Sequence, residues 1–319
     1  MLETKKPGFV SGFVSLLGRP NTGKSTLLNA LVGSKLAIVA EKPQTTRTLI
    51  QGVLTLPGSQ IIFVDTPGIH KPDSRFNQRM METLRSALEE RDLLVYLVDA
   101  TLPVREADRQ AVEVLRNSKT SVLLALNKID RLKDKSLLLP TIDMYKSLYD
   151  FADYIPISAL RGAGLETLRG AILARLPEGP AYFPEDHITD QPERFLAGEL
   201  IREKTIRLTR EEVPHAVAVL VDEWDETPKL TRICATIYVE KQGQKAILIG
   251  AKGATLKRIG TQARLEMEAL FGCKIFLELF VKVRPHWRHS PQFLAALDWR
   301  SMAGRESDHS VIEKKRGRM

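Results

Sequence analysis

The sequence predicts an α/β domain with a mainly parallel sheet and helices on both faces, followed by a smaller α+β domain. Three observations carry this. Up to about residue 177, short apolar runs alternate with segments of helical spacing, as in a parallel sheet with crossover helices. Residues 178–193 (EGPAYFPEDHITDQPE) then break the pattern with three prolines and clustered acids. After that break come a helix-like segment, two strand-like segments, two helix-like segments and a strand of clean alternation. A chain of 319 residues suits two domains at roughly 100–200 residues each. The reading is a first domain over 1–180, a linker over 181–194, a second domain over 195–300 and a disordered basic tail over 301–319.

The runs Phe13–Leu17, Ile61–Val64, Leu93–Val98 and Val122–Leu126, with Ile155 and Ile157, are β-branched or leucine-rich. Such runs are expected of strands covered on both faces. Leu165, Leu168, Ile172 and Leu176 have helical spacing, stopped by Pro177. In the second domain, Val213–Trp224 and Thr231–Glu240 read as a hairpin, and Leu256, Ile259, Ala263 and Leu270 mark a helix. The last strand sets Ile275, Leu277, Leu279, Val281 and Val283 on one face and Lys274, Glu278 and Lys282 on the other. The tail is polar, lacks periodicity and ends KKRGRM.

Composition excludes several classes. No stretch approaches the 18 or so apolar residues of a membrane span, and MLETKKPG carries no secretory signal. Cys234 and Cys273 cannot form a disulfide framework, so buried thiols in a reducing cytoplasm are expected. His286 and His289 lack a second ligand pair for a metal. The net charge of +8 is unevenly spread: +5 over 1–180, −6 over 181–230 and +9 over 231–319. Its densest part, 241–264, holds Lys241, Lys245, Lys252, Lys257, Arg258 and Arg264 and no acid, which favours a polyanionic partner.

The sharpest motif is GRPNTGKS at 18–25, which fits G-x-x-x-x-G-K-[ST] and lies between a strand and a helix-forming stretch. Gly18 and Gly23 let the loop curl so that its N–H groups, with those of Thr22 and Thr26 beside them, face phosphates. Lys24 neutralises the β/γ oxygens, the Ser25 hydroxyl binds Mg²⁺, and the helix N-terminus adds partial positive charge. Asp65-Thr66-Pro67-Gly68 follows the second strand, where Asp65 reaches the Mg²⁺ shell and the Gly68 amide meets the γ-phosphate. Asn127-Lys128-Ile129-Asp130 follows a further strand. Asp130 can accept from guanine N1–H and its N2 amino group, a donor pair that adenine lacks. Ser158-Ala159-Leu160 meets the base from the other side. Together these specify a guanine-nucleotide-binding domain of the P-loop GTPase class.

GRPNTGKSTLLN, Thr-Thr-Arg at 45–47, DTPGIH and NKID resemble the translation-factor-related GTPases, and the Era family in particular. The resemblance implies that Thr46 joins the Mg²⁺ when GTP is bound, and that 41–49 and 65–75 are switch segments ordered by the γ-phosphate. Ras-like enzymes carry a water-orienting glutamine after the DxxG glycine; here that position is Ile69, followed by His70 read as exposed loop, so slow intrinsic turnover is expected. Asn21 matches the P-loop asparagine with which several relatives coordinate K⁺.

Gly250-Ala251-Lys252-Gly253 lies between two helix-like segments in an order that resembles a type II KH domain. Its glycines let a single strand's backbone pack against main chain, while Lys252, Lys245, Lys257 and Arg258 supply charge. GQKAILIGAKGATLKRIGTQARLEME through LELFVKVRPHW is similar to the Era family's KH domain. That resemblance implies a GTPase that binds the 3′ region of small-subunit (16S) ribosomal RNA during 30S assembly. A cytoplasmic monomer is expected, since nothing in the sequence demands an oligomer, and with no amphipathic lipid-binding helix or lipidation signal any contact with anionic membrane should be peripheral. Two other readings stay open at this point: an RNA-binding protein whose nucleotide is structural, and a membrane-surface GTPase.

Overall fold

The computed structural model describes residues 8–40, 46–69, 78, 80–82, 91–209, 213–298 and 311–313. The first domain is built on a six-stranded sheet of β1 (Val10–Gly18), β2 (Ile50–Leu56), β3 (Ser59–Asp65), β4 (Leu93–Asp99), β5 (Val122–Asn127) and β6 (Asp153–Pro156), in the order β2-β3-β1-β4-β5-β6. All neighbours are parallel except β2, which runs antiparallel to β3. The pleat of β4 shows why the apolar runs are continuous. Leu93, Val95 and Leu97 enter one core with Leu27, Leu28 and Leu31 of α1 (Lys24–Val32) and with Leu168 and Ile172 of a later helix, Leu165–Leu173. Leu94, Tyr96 and Val98 enter the opposite core with Ala111 and Val112 of α2 (Glu106–Glu113) and with Leu138 and Tyr145 of α3 (Leu138–Leu148). The helix Leu165–Leu173 is α4.

The predicted linker is more ordered than its prolines suggest. His187–Pro192 forms β7, and beyond it α5 (Glu193–Leu208) already belongs to the second domain. Thr189 donates to the Gln51 carbonyl (2.6 Å) and Gln191 to the Leu49 carbonyl (3.2 Å), so β7 lies beside the edge strand β2. The disordered-tail reading of 301–319 fails at Val311–Glu313, which forms β11 antiparallel to β7; 301–310 and 314–319 lie outside the described residues.

In the second domain the Val213–Trp224 segment is not one strand. Val213–Ala216 makes a helical turn, α6, and β8 runs from Ala218 to Glu226. β8 pairs antiparallel with β9 (Thr231–Val239), and β10 (Ile275–Val283) pairs parallel with β9 on its other side. Between β9 and β10 come α7 (Gln242–Ile249) and α8 (Ala254–Phe271), which buries Ile259, Ala263 and Met267. A short helix, α9 (Pro291–Ala296), follows.

The domains meet along α5. The Glu203 carboxylate, wholly buried, pairs with Lys35 of the first domain (2.5 Å), with Arg207 (2.7 Å) and with Lys204 (3.3 Å). It also accepts from the Val39 amide (3.1 Å), while Arg207 donates back to the Val39 carbonyl (2.9 Å). Glu266 on α8 pairs with both Lys35 and Lys204, so one cluster ties α1's end, α5 and α8 together. Among the described residues, no helix is long and apolar enough to cross a membrane.

Candidate functional site

β1 ends at Gly18 and α1 begins at Lys24; the intervening loop turns through positive φ at Gly18, Asn21 and Gly23. At Gly23 (φ 100°) a Cβ would lie 2.3 Å from Asn127 Nδ2, so no other residue fits without displacing that amide. The amide matters because it joins three loops. Asn127 Nδ2 donates to the Thr22 carbonyl (2.8 Å), and its Oδ1 accepts from the Ala159 amide (2.9 Å). Lys128 reinforces the junction: its Nζ donates to the Asn21 carbonyl (2.7 Å) and pairs with Asp99 (2.6 Å). Asp99 was not among the residues expected from sequence; it ends β4 in register with Asn127, and only the strand pairing discloses the contact.

Lys24 is 6% exposed, and its Nζ donates to the carbonyls of Gly18 and Arg19, both at 3.0 Å. Burial pushes its pKa down to about 8, with the nearby Asp65 opposing the shift. A desolvated ammonium held by carbonyls is a receptor for an anion. A bound polyphosphate restores the ammonium form, so nucleotide binding takes up a proton once pH exceeds about 8. Affinity should then fall by up to about tenfold per pH unit above that point and stay flat below it. Calorimetry in buffers of different ionisation enthalpy measures the uptake; a pH-independent affinity through 8.5 would contradict it.

Ser25, Thr46 and Asp65 converge. Ser25 Oγ lies 2.8 Å from Thr46 Oγ1 and donates to Asp65 Oδ2 (2.7 Å), to which Thr46 also donates (3.2 Å). Asp65 is wholly buried, burial raises its pKa, and its Oδ1 accepts no hydrogen bond among the described residues. Two hydroxyls and one buried carboxylate with a spare oxygen are the hard donor set that fits Mg²⁺. One pocket brings together Asn21, Gly23, Lys24, Ser25, Thr26, Thr46 and Gly68, with Ile38, Val39 and Ala40 closing its side. That apolar wall was not anticipated from sequence. The loop after β3 is docked on the phosphate loop, since the Ile69 amide donates to the Gly18 carbonyl (3.1 Å). The Ile69 side chain is buried in the cluster of Leu17, Leu94 and Tyr96, where it cannot orient a water. Residues 41–45 and 70–75 of the expected switch segments, His70 among them, lie outside the described residues.

Asp130 is exposed, and its Oδ1 accepts from Ser158 Oγ (2.5 Å), which itself accepts from the Arg161 amide (3.1 Å). The carboxylate is thus aimed by the second base loop. Leu160, 66% exposed, leaves an apolar side chain to cover a planar ring.

In the second domain, Gly250–Gly253 joins α7 to α8. Gly250 (φ 71°) could not carry a Cβ, which would meet Thr255 Oγ1 at 2.3 Å. Lys252 is exposed at φ 51°. Beside this turn runs a groove between α8 and β10, lined by Gly253 of the turn, by Leu256, Lys257, Gly260, Thr261 and Arg264 from the helix and by Leu277 and Leu279 from the strand. Its apolar floor and basic rim suit bases with their phosphates. Of the predicted residues, Gly253 and Lys257 line the groove. Ala251, Lys252 and Arg258 are exposed nearby without lining it, and Lys245 on α7 is half-buried. Thr261 was missed, and Arg264 was seen only as part of the basic run; their spacing of four and seven from Lys257 places them on its helical face.

A phosphate loop, a cluster of hard oxygen donors fit for a metal and an exposed carboxylate placed to read guanine, all on this sheet, fit a P-loop GTPase, and the three-stranded sheet with its G-x-x-G turn fits a type II KH domain. Comparisons with known proteins agree. The family described as 50S ribosome-binding GTPase matches residues 13–128, and the KH domain family matches 212–288. GTPase Era of Geobacter metallireducens is 49% identical over 293 residues, covering 91% of this chain and 98% of that protein. GTPase Era of Syntrophus aciditrophicus is 50% identical, covering 90% and 94%. A crystal structure of an Aquifex aeolicus Era variant bound to GDP.AlF4⁻ superposes with a TM-score of 0.87 at 42% identity, over 91% of this chain and 99% of that one. A structure of Era in complex with MgGDPNP and nucleotides 1506–1542 of 16S ribosomal RNA matches with a TM-score of 0.87 at 41% identity, over the same shares. The chain belongs to the Era family and is a GTP-hydrolysing enzyme.

Proposed function

We propose that this GTPase binds the 3′ region of 16S ribosomal RNA and acts in assembly of the 30S subunit in the cytoplasm, as a monomer, with the nucleotide setting its RNA affinity. The observation that carries the reading is the groove beside Gly250–Gly253, with its apolar floor and its Lys257 and Arg264 rim. The solved relative holding 16S nucleotides 1506–1542 supplies the RNA.

In hydrolysis, Lys24 holds the β/γ oxygens and the Gly68 amide the γ-phosphate, while Asp130 and Asn127 fix the base. Ser25, Thr46 and Asp65 would hold Mg²⁺, which neutralises phosphate charge when bound. With Ile69 buried, that position offers no group to orient the water; Asn21, which lines the pocket and whose carbonyl is fixed by Lys128, is the residue that would hold a K⁺ beside the phosphates. A K⁺ held there would supply the positive charge that an arginine finger supplies elsewhere. Turnover should therefore be faster in KCl than in NaCl at equal ionic strength, and equal rates would remove the cation from the mechanism.

The RNA reading is tested by anisotropy with a labelled 16S 3′ segment against a shuffled one, in GDP and in GDPNP. Tighter binding of the genuine segment with the analogue is expected. Equal affinity in the two nucleotides would refute the switch, because coupling is reciprocal.

A further inference from the structure

We propose that Trp287 is the receptor in the KH domain for the state of the nucleotide, and that Arg47 is the positioning residue that reports to it; this rests on the reading that the nucleotide sets RNA affinity. Thr46 and Arg47 are consecutive, their Cα atoms about 3.8 Å apart across one planar peptide, yet they serve different domains. Thr46 sits in the metal site, 2.8 Å from Ser25 Oγ. Arg47 crosses the interface: its Nη1 donates to the Val217 carbonyl (2.8 Å), and its guanidinium lies over the Trp287 indole, 5.5 Å from the ring centroid. A hydrogen bond and a ring contact held together leave the arginine little slack.

Trp287 is built to receive it. The residue is wholly buried, and its Nε1 donates to the Ala216 carbonyl (2.9 Å), next to the carbonyl that Arg47 uses. Met80, from the first domain beyond the Asp65–Gly68 loop, is buried in the same apolar cluster as Trp287, Ala218, Phe293 and Leu294. Met80, twelve residues beyond Gly68, and Arg47, next to Thr46, therefore meet the same side chain. Trp287 in turn follows closely on β10, whose Leu277 and Leu279 line the RNA groove. Arg288 beside it pairs with Glu240 (2.5 Å) at the end of β9, and the Arg284 amide donates to the Val239 carbonyl (2.7 Å). When Thr46 leaves the metal site, Arg47 is withdrawn from the indole, and the end of β10 loses a fixed support.

The test exploits the chain's three tryptophans. In a W224F/W299F background, emission comes from Trp287 alone and should differ between GDP and GDPNP. R47M should erase that difference while leaving GDP affinity unchanged, which also shows the variant to be folded. It should also bring the RNA affinity ratio between the two nucleotides, expected on the order of 5–150-fold, close to one; R47K should restore part of it. The proposal is overturned if Trp287 emission is the same in both nucleotides, or if R47M keeps the full ratio, while the parent chain still shows one; the proposed function then stands. A parent ratio of one overturns both.

Discussion

Asp130→Asn should weaken guanine-nucleotide binding by roughly 10²–10⁴-fold and transfer preference to xanthine nucleotides. The carboxylate would accept from N1–H and from the N2 amino group of guanine, and hydrogen bonds to a charged group contribute about 1.5–3 kcal/mol each. An asparagine amide offers one acceptor and one donor. The donor opposes the guanine amino group but matches the carbonyl that xanthine carries in its place. The fold should be spared, because Asp130 is exposed and an Asn Oδ1 can still accept from Ser158 Oγ, now 2.5 Å from the carboxylate. Displacement of a fluorescent nucleotide by GDP and by XDP measures both halves of the effect. A variant that kept its preference for GDP would show that Asp130 does not read the base.

A second large effect is expected at the RNA turn. The double substitution A251D/K252D lowers the local charge by three units where the strand's phosphates would pass. It should reduce affinity for the 16S 3′ segment by roughly 10²-fold at about 0.1 M salt and flatten the salt dependence. Both side chains are exposed, and the φ of 51° at Lys252 is a conformation that Asp tolerates better than most residues. GTP hydrolysis without RNA should be unchanged, which separates loss of recognition from loss of fold. Undiminished RNA binding would move the interface away from Gly250–Gly253.

The contrast between what was legible in the sequence and what was not has a physical basis. β1, β3, β4 and β5 were visible because a strand buried on both faces needs an unbroken apolar run, and β10 because a strand covered on one face must alternate. β2 escaped because Ile50–Leu56 is an edge strand whose second half is only partly buried, so its sequence, IQGVLTL, carries neither signal cleanly. β7 was hidden by prolines that an edge position tolerates. The phosphate and base motifs were readable because local backbone chemistry dictates their residues. Asp99, Ile38–Ala40 and the landing of Arg47 on Trp287 were not, since each depends on strand register or domain docking that no local pattern encodes.

The composition of the Glu203 cluster bears on how the protein comes apart. Of its three cationic partners, Lys204 and Arg207 stand on the same helix, and only Lys35 belongs to the other domain. Separation would thus strip the carboxylate of one ion pair and the Val39 amide while leaving it neutralised by neighbours that travel with it. Lys35, about a quarter exposed already, would return to water at little cost. A buried charge usually locks an interface, because parting strands it; here the counterions are packed on one side. The joint between enzyme and RNA-binding domain is therefore built as a clasp whose charges on the α5 side would stay balanced if it opened.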